Sequence, residues 1–281
     1  MRAALLVLVA CGGTVAEAPH NEAPPAAKRE FHSVLTGDKQ QRFTKLSHEL
    51  ASPCGKAHSL WTSLEHDPSC ARTVHALGYL ERMIDRDVPD DILHTLWDGR
   101  YAEREKKQFD LSHAPVVGSR RAAVKIVVWE DLQCPHCAHL APMIQAVEQA
   151  FGDRIGVYYK MFPLKSHPRA REAAIAALAA NKQGKFLSMT DLIFEQQQLI
   201  NTQMIEEWAR TVDLDMAKFR ADIASPDTAE LVDADLAEAD AAQLDHVPDV
   251  FIDGRLYDGV MSEEDLKDAA QEALDVAAGS R

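Results

Sequence analysis

The sequence has no excess of basic residues, no apolar segment long enough to span a bilayer and no evident internal repeat. Its formal net charge is −14, and no basic patch is present to displace counterions from a phosphate backbone, so nucleic acid is not expected as a partner. Aromatic residues make up only 6% of the 281 residues, whereas hydrophobic residues make up 46%. A chain of this length and composition can bury one domain of moderate size together with a smaller module.

The N-terminus carries a short apolar run, residues 3–10, which is too short to cross a membrane and is typical of an export signal. The string LVAC, which ends at Cys11, resembles a bacterial lipobox, in which cleavage exposes a cysteine for lipidation. We therefore expect residues 1–11 to form a lipoprotein-type signal and the protein to be lipid-anchored in the periplasm or cell envelope. A truncated or non-lipoprotein signal is the alternative. Residues 12–39 contain no core-forming run, which predicts a disordered tether.

Residues 40–108 predict a small helical module, because leucine, isoleucine and valine recur there at helical intervals. A linker is predicted over residues 109–121, which include Pro115 and Gly118. The remaining chain should therefore form a second and larger domain.

Two cysteines separated by two residues, Cys134 and Cys137, follow a strand-like run over residues 124–129 and precede a helical pattern over about 135–149. A cysteine at a helix N-terminus meets the positive end of the helix dipole, which stabilises the reactive thiolate. We therefore expect Cys134 to be an exposed nucleophile and Cys137, one turn further along, to be the resolving thiol. Pro135 suits the first helical turn, where its missing N–H is not needed.

Three other interpretations of the CPHC string compete with disulfide exchange. A c-type haem site requires histidine directly after the second cysteine, and position 138 is alanine. Zinc or copper could use Cys134, Cys137 and His139, but no second CxxC or HxxxH supplies a further ligand, so no metal site is predicted. In the third interpretation, the two cysteines have only a structural role and close a tight turn. In the redox interpretation, His136 adds positive charge beside the Cys134 sulfur, which makes the disulfide a stronger oxidant.

A second motif, HVPDVFIDG at residues 246–254, lies more than a hundred residues later. Together with residues 126–141 it resembles the DsbA-like branch of the thioredoxin superfamily, in which a CPHC site faces a loop that bears a cis-proline. The resemblance covers about residues 119–281. It implies that the Val247-Pro248 peptide bond is cis and that these two residues bind substrate beside the cysteines.

The fold class that the resemblance implies is α/β: a thioredoxin-like domain over residues 122–281, preceded by the small helical N-terminal module. A helical subdomain should be inserted at about residues 165–245. The sequence between the motifs is rich in alanine and acidic residues, and its start and stop signals divide it into five candidate helices. These are residues 169–182, 186–200, 204–212, 216–223 and 228–242.

The function implied by the resemblance is that of an envelope thiol:disulfide oxidoreductase, most simply one that oxidises substrate dithiols through a Cys134-Cys137 disulfide. Its partners would be reduced or misfolded exported proteins and a membrane redox protein that recycles the cysteines; no cofactor is expected. The alternatives are a disulfide reductase or isomerase, and a metal-binding or adaptor lipoprotein.

The sequence departs from the family pattern at two places. Relatives often carry a buried acid six residues before the first active-site cysteine, where this chain has Val128; either Glu130 or Asp131 could replace that acid, or both could be exposed. Asp249 follows the proline, where relatives place a small residue, and a carboxylate near the cysteines would oppose thiolate formation.

Two cysteines remain when Cys11 is assigned to lipidation and Cys134 is paired with Cys137. These are Cys54 and Cys70, and an exported compartment permits a disulfide between them. We predict a structural disulfide within the helical module; a second redox pair that relays electrons is the alternative.

Overall fold

The computed structural model describes residues 30–279, so Cys11 and most of the predicted tether lie outside the described part of the chain. The described residues form a helical N-terminal module packed against a larger α/β domain. Within this range, no helix is both long and apolar enough to cross a membrane.

The N-terminal module consists of four helices around its own apolar core. They are α1 (Gly37–Glu49), α2 (Leu60–His66), α3 (Thr73–Asp85) and α4 (Asp90–Tyr101). The predicted tether boundary at residue 39 is wrong, because α1 begins earlier and residues before it join the core. Leu35 is buried, and the Phe31 ring stacks on Phe43 with centroids 5.7 Å apart.

The module is cross-linked by a disulfide between Cys54 and Cys70, with a Cα–Cα distance of 5.9 Å. Cys54 lies in the loop between α1 and α2, and Cys70 in the loop between α2 and α3. The predicted pairing of these two cysteines is confirmed.

The larger domain is built on a five-stranded mixed sheet. Its strands are β1 (Val116–Gly118), β2 (Val124–Glu130), β3 (Ile155–Met161), β4 (Asp249–Ile252) and β5 (Arg255–Leu256), in the spatial order β1-β3-β2-β4-β5. Strands β2 and β3 are parallel, and the other pairs are antiparallel. The segment predicted as a linker, 109–121, therefore contributes the edge strand β1, whose Val116 pairs with Tyr158, and it also supplies the buried Ala114.

Seven helices accompany the sheet within the described residues. Helix α5 (Pro135–Phe151) connects β2 to β3, and α11 (Glu263–Gly279) follows β5. The other five lie between β3 and β4, in the segment predicted as an insertion: α6 (Ala170–Asn181), α7 (Phe186–Glu195), α8 (Thr202–Thr211), α9 (Met216–Ala224) and α10 (Pro226–Ala241). Alternate residues of β2 point to opposite faces: Ile126 and Val128 enter the core shared with α5 and α11, whereas Val127 and Trp129 enter a smaller apolar cluster.

Ion pairs join α3, its flanking residues and α4 of the module to α11 of the larger domain. We call this set the docking network; its members are Arg72, His75, Arg82, Arg86 and Arg100 of the module, and Glu264, Asp265, Asp268, Glu272 and Asp275 of α11. Burial alone would raise the pKa of Asp268, but His75, Arg100 and Arg82 hold it well below its usual range.

The two units also approach closely at Gly99. A Cβ atom at this position would lie 1.9 Å from the Asp258 carbonyl oxygen, so only glycine allows this contact.

Candidate active site

The CPHC string lies where the chain leaves β2 and begins α5. Cys134 is the N-cap residue of α5, and Pro135 is its first helical residue. The Cys134 N–H donates to the Asp131 carbonyl oxygen at 3.0 Å, and the Ala138 N–H donates to the Cys134 carbonyl oxygen at 3.1 Å. Cys134 therefore lies at the positive end of the helix dipole.

The expectation that Cys134 is exposed is wrong. Its exposed fraction is 4%, compared with 1% for Cys137, and the two sulfurs are not joined to each other. Both cysteines belong to the apolar cluster of Trp129 and Phe251, which covers them. Pro135 and His136, by contrast, are exposed on the first turn of α5.

Cys137 lies in surroundings that oppose its ionisation. Burial raises the pKa of the Cys137 thiol far above its usual range, and the charge of Glu130 and the neighbouring Cys134 raise it further. The Asp131 N–H, which donates to the Cys137 sulfur at 3.4 Å, opposes this shift without reversing it. A Cys137 thiolate released at neutral pH would therefore need to take up a proton.

Asp131 is fully engaged by neighbouring groups. Its Oδ1 accepts from the Gln133 N–H at 2.6 Å. Its Oδ2 accepts from the Leu164 N–H at 2.8 Å and lies 2.8 Å from His167 Nδ1. These contacts tie the turn before Cys134 to the segment that precedes α6.

Glu130 is the acid with a free oxygen. It is buried at the end of β2, and its Oε1 has no hydrogen-bonding partner among residues 30–279. Burial, followed by the charges of Glu148 and Asp131, raises the pKa of Glu130 to about 8. Glu130 is thus buried, influences Cys137 and holds its proton near neutral pH.

The Val247-Pro248 peptide bond is cis, as predicted. The loop that contains it leads directly into β4, whose Asp249 pairs with Trp129 of β2. Val247 is buried in the same apolar cluster as both active-site cysteines. The fold thus brings together two motifs that lie more than a hundred residues apart.

Asp249, the residue after the cis-proline, is largely buried at the start of β4. Burial raises the pKa of its carboxyl group, and the charge of His246 opposes this shift. The His246 Nε2 atom lies 3.2 Å from Asp249 Oδ1.

Gln197 is a neighbour of the site that sequence reasoning missed. It lies in a 3₁₀ turn, Gln197–Leu199, after α7, and its side-chain Nε2 donates to the carbonyl oxygens of Leu132 and Cys134, both at 3.0 Å. No signal in the sequence marks it, because it is the middle member of three consecutive glutamines that lie about sixty residues after the CPHC string.

The described part of the chain contains no group of three or more histidine, cysteine, aspartate or glutamate side chains that could hold a metal ion.

Residues 111–272, more than half of the chain, match the family model described as Thioredoxin. With its mixed sheet, helix-capping CPHC string and facing cis-proline loop, the chain belongs to the thioredoxin family. Within that family it has the DsbA-like arrangement, in which a helical subdomain is inserted between the third and fourth strands.

Solved structures of two other proteins share this fold. One is a thioredoxin-like oxidoreductase from Silicibacter pomeroyi DSS-3, with 25% identity and a TM-score of 0.52, covering 58% of this chain and 92% of that one. The other is the thiol-disulfide exchange protein alpha-DsbA2 from Wolbachia pipientis, with 15% identity and a TM-score of 0.53, covering 67% and 97% respectively.

Curated relatives include much longer proteins. The Na(+)/H(+) antiporter NhaA 3 of Salinispora tropica is 34% identical over 162 residues, which are 57% of this chain and 24% of that protein. This chain spans about a quarter of the length of the curated relatives it matches.

Proposed function

We propose that this protein is an envelope thiol:disulfide oxidoreductase that oxidises dithiols of reduced or misfolded exported proteins through a Cys134-Cys137 disulfide. The observation that carries the proposal is the meeting of the two motifs. Cys134 caps α5, Cys137 is buried one turn further along, and the cis Val247-Pro248 loop belongs to the same cluster.

The exchange proceeds in two steps that move two electrons from substrate to protein. A substrate thiolate attacks the Cys134 sulfur, the bond between Cys134 and Cys137 breaks, and a mixed disulfide forms. A second thiolate of the substrate then attacks its own sulfur in the mixed disulfide and releases Cys134. The substrate leaves with a disulfide, and the protein keeps two reduced cysteines.

Glu130 supplies the proton that the first step requires. Cys137 leaves as a thiolate in a place that opposes its charge, and the neutral Glu130 acid near it can donate. When a recycling partner reoxidises the pair, the Glu130 carboxylate takes the proton back. Asp131 is unsuited to this role, because both of its oxygens are already hydrogen-bonded.

The cis-proline loop holds the substrate in this proposal. The Val247 backbone can pair with an extended peptide, which gives affinity without selecting particular side chains. Val247 itself has no hydroxyl group to offer to the Cys134 sulfur. This absence favours rapid release of substrate over prolonged contact.

Trapping tests the function. A Cys137→Ala variant has no resolving thiol, so a mixed disulfide that its Cys134 thiolate forms by attack on the disulfide of an oxidised client should persist when the variant is expressed in its native envelope. A Cys134→Ala variant is the matched control and should capture none. Exported proteins that carry cysteine pairs would support the proposal; no disulfide-linked clients on the first variant would refute it.

A reductase is the second candidate, because one observation favours it. Cys137 is buried, and burial disfavours its thiolate in the reduced pair, which makes the disulfide a weaker oxidant. Equilibration with glutathione separates the two directions. Strongly oxidising pairs have potentials near about −120 mV, whereas reducing pairs lie near about −270 mV.

The location and anchor are part of the same proposal. We propose that Cys11 is lipidated and holds the protein on an envelope membrane, where a membrane redox partner reoxidises the cysteines. Mass measurement of protein from the membrane fraction should show an acylated N-terminus that starts at Cys11. An unmodified or uncleaved chain would contradict the anchor without affecting the chemistry of Cys134 and Cys137.

A further inference from the structure

The helical insertion reaches the active-site turn through the side chain of Gln197. Its amide nitrogen lies 3.0 Å from two carbonyl oxygens, those of Leu132 and Cys134, and thus bridges the turn immediately before α5. The same turn is also tied to the insertion by the Arg169 N–H, which donates to Gln133 Oε1 at 2.8 Å.

The Cys134 carbonyl oxygen accepts two hydrogen bonds. The Cys134 carbonyl already accepts the first helical hydrogen bond of α5, from Ala138, so Gln197 is a second donor to the same oxygen. This oxygen and the reactive sulfur belong to one residue, so the negative end of the carbonyl dipole lies close to any thiolate. A hydrogen bond donated to this oxygen partly offsets the repulsion between the carbonyl dipole and the thiolate. It also places the positive end of the Gln197 amide dipole near the Cys134 sulfur.

We propose that Gln197 is a positioning residue that fixes the Cys134 backbone and, through it, makes a thiolate at Cys134 easier to form. It acts without touching the reacting sulfur. The inference rests on the proposed exchange function of the Cys134-Cys137 pair and adds an element from outside both sequence motifs.

The neighbouring Gln198 provides a matched control. It lies in the same 3₁₀ turn, has the same side chain and is exposed. Three variants at each position, to leucine, glutamate and lysine, separate a specific contact with the Cys134 carbonyl from a general change of charge on this surface.

The measured quantities are the equilibrium constant for reduction of the protein disulfide by glutathione and the thiolate absorbance of the reduced protein at neutral pH. At position 197 the constant should fall in the order lysine, glutamine, leucine, glutamate. Gln197→Glu should lower it about tenfold, which corresponds to about 30 mV for a two-electron couple. The Gln198 variants should stay within about twofold of the wild type.

Circular dichroism melting identifies any variant that fails to fold, and Gln197→Lys retains donors and serves as the rescue. A purely structural role would lower stability in all three Gln197 variants without ordering the constants by charge, and that outcome overturns the inference. Equal effects at positions 197 and 198 overturn it as well. If the wild-type pair does not exchange with glutathione at all, the proposed function itself fails.

Discussion

The two cysteine pairs of this chain show how surroundings decide what a disulfide does. Cys54 and Cys70 lie sixteen positions apart, join two loops of the helical module and are bonded to each other. Cys134 and Cys137 lie three positions apart where a strand meets a helix, and their sulfurs are free. The first disulfide closes a loop of sixteen positions, so it restricts the unfolded chain. A bond between Cys134 and Cys137 would close only one helical turn, so it would add less stability by this route.

The polar neighbours of the pairs differ as well. Beside the first pair, Arg72 donates to the Pro53 carbonyl at 2.7 Å and to Glu272 at 2.6 Å, which links the cross-linked loop to the docking network. Beside the second pair, Glu130 is buried with a free oxygen. The first pair is thus connected to the docking network, and the second pair lies near a buried acid.

The largest difference should appear in activity. Replacing Cys134 with serine removes the sulfur that the substrate thiolate attacks, so disulfide exchange with a model dithiol peptide should fall to the rate without protein. The double variant Cys54→Ser/Cys70→Ser should retain exchange within about twofold, because that pair is remote from the site. A comparable loss in a double variant that remains folded would mean that the module pair relays electrons.

The next effect concerns Glu130. Glu130→Gln keeps the shape of the side chain but cannot transfer a proton, so the step that releases Cys137 should slow roughly 100-fold near neutral pH. Stopped-flow measurement of mixed-disulfide formation checks this. Glu207→Gln, a change at an exposed position on α8, is the control and should leave the rate unchanged.

Stability provides a second measurement on the same variant. The pKa of Glu130 is about 8 in the folded protein, compared with 4.5 as its ordinary value. Between these values the folded state holds a proton that the unfolded state has lost, so the stability of the wild type falls as pH rises. Glu130→Gln should therefore gain up to about 5 kcal/mol relative to the wild type between about pH 4 and about pH 9. A difference that does not change with pH would contradict the assignment.

A smaller effect is expected when the module disulfide is lost. Chain entropy assigns about 3 kcal/mol to a cross-link that closes a loop of about this length. Denaturant unfolding of Cys54→Ser/Cys70→Ser should show a loss of that order. If the loss is absent, the disulfide does not constrain the module.

The smallest effect tests the link between that disulfide and the rest of the protein. Arg72→Met removes the donor shared by Pro53 and Glu272, but Glu272 keeps Arg100 and Tyr101 as partners. The free energy of unfolding should fall by about 2 kcal/mol, and the redox equilibrium of Cys134 and Cys137 should not move. A change in that equilibrium would show that the module influences the active site.

The sequence predicts the parts of the fold that rest on local patterns. The junction of strand, CPHC string and helix follows from a short β-branched run and an N-terminal proline, and the insertion follows from alanine-rich helices. The edge strand β1 could not be predicted, because it has three residues and is defined by its pairing with β3. The burial of Cys134 was also missed, because residues distant in sequence cover it.

The choice between Glu130 and Asp131 shows the same limit. Adjacent residues at a strand end point to opposite sides, and only the packed structure shows which acid keeps a free oxygen. The position of Gln197 depends on where α7 ends. The helix was predicted to reach residue 200 but stops at Glu195, and the 3₁₀ turn that follows places the Gln197 side chain at the Cys134 carbonyl.

Helix α11 has six acidic residues and one lysine in its sequence, and five of those acids pair with side chains of the helical module. The acids of α11, in the thioredoxin-like domain, are thus paired with basic side chains of the helical module, which precedes that domain in the chain. A fragment that starts at the first strand would leave Asp265, Asp268 and Glu272 without their cations. The helical module therefore provides the cations that pair with these acids of the thioredoxin-like domain.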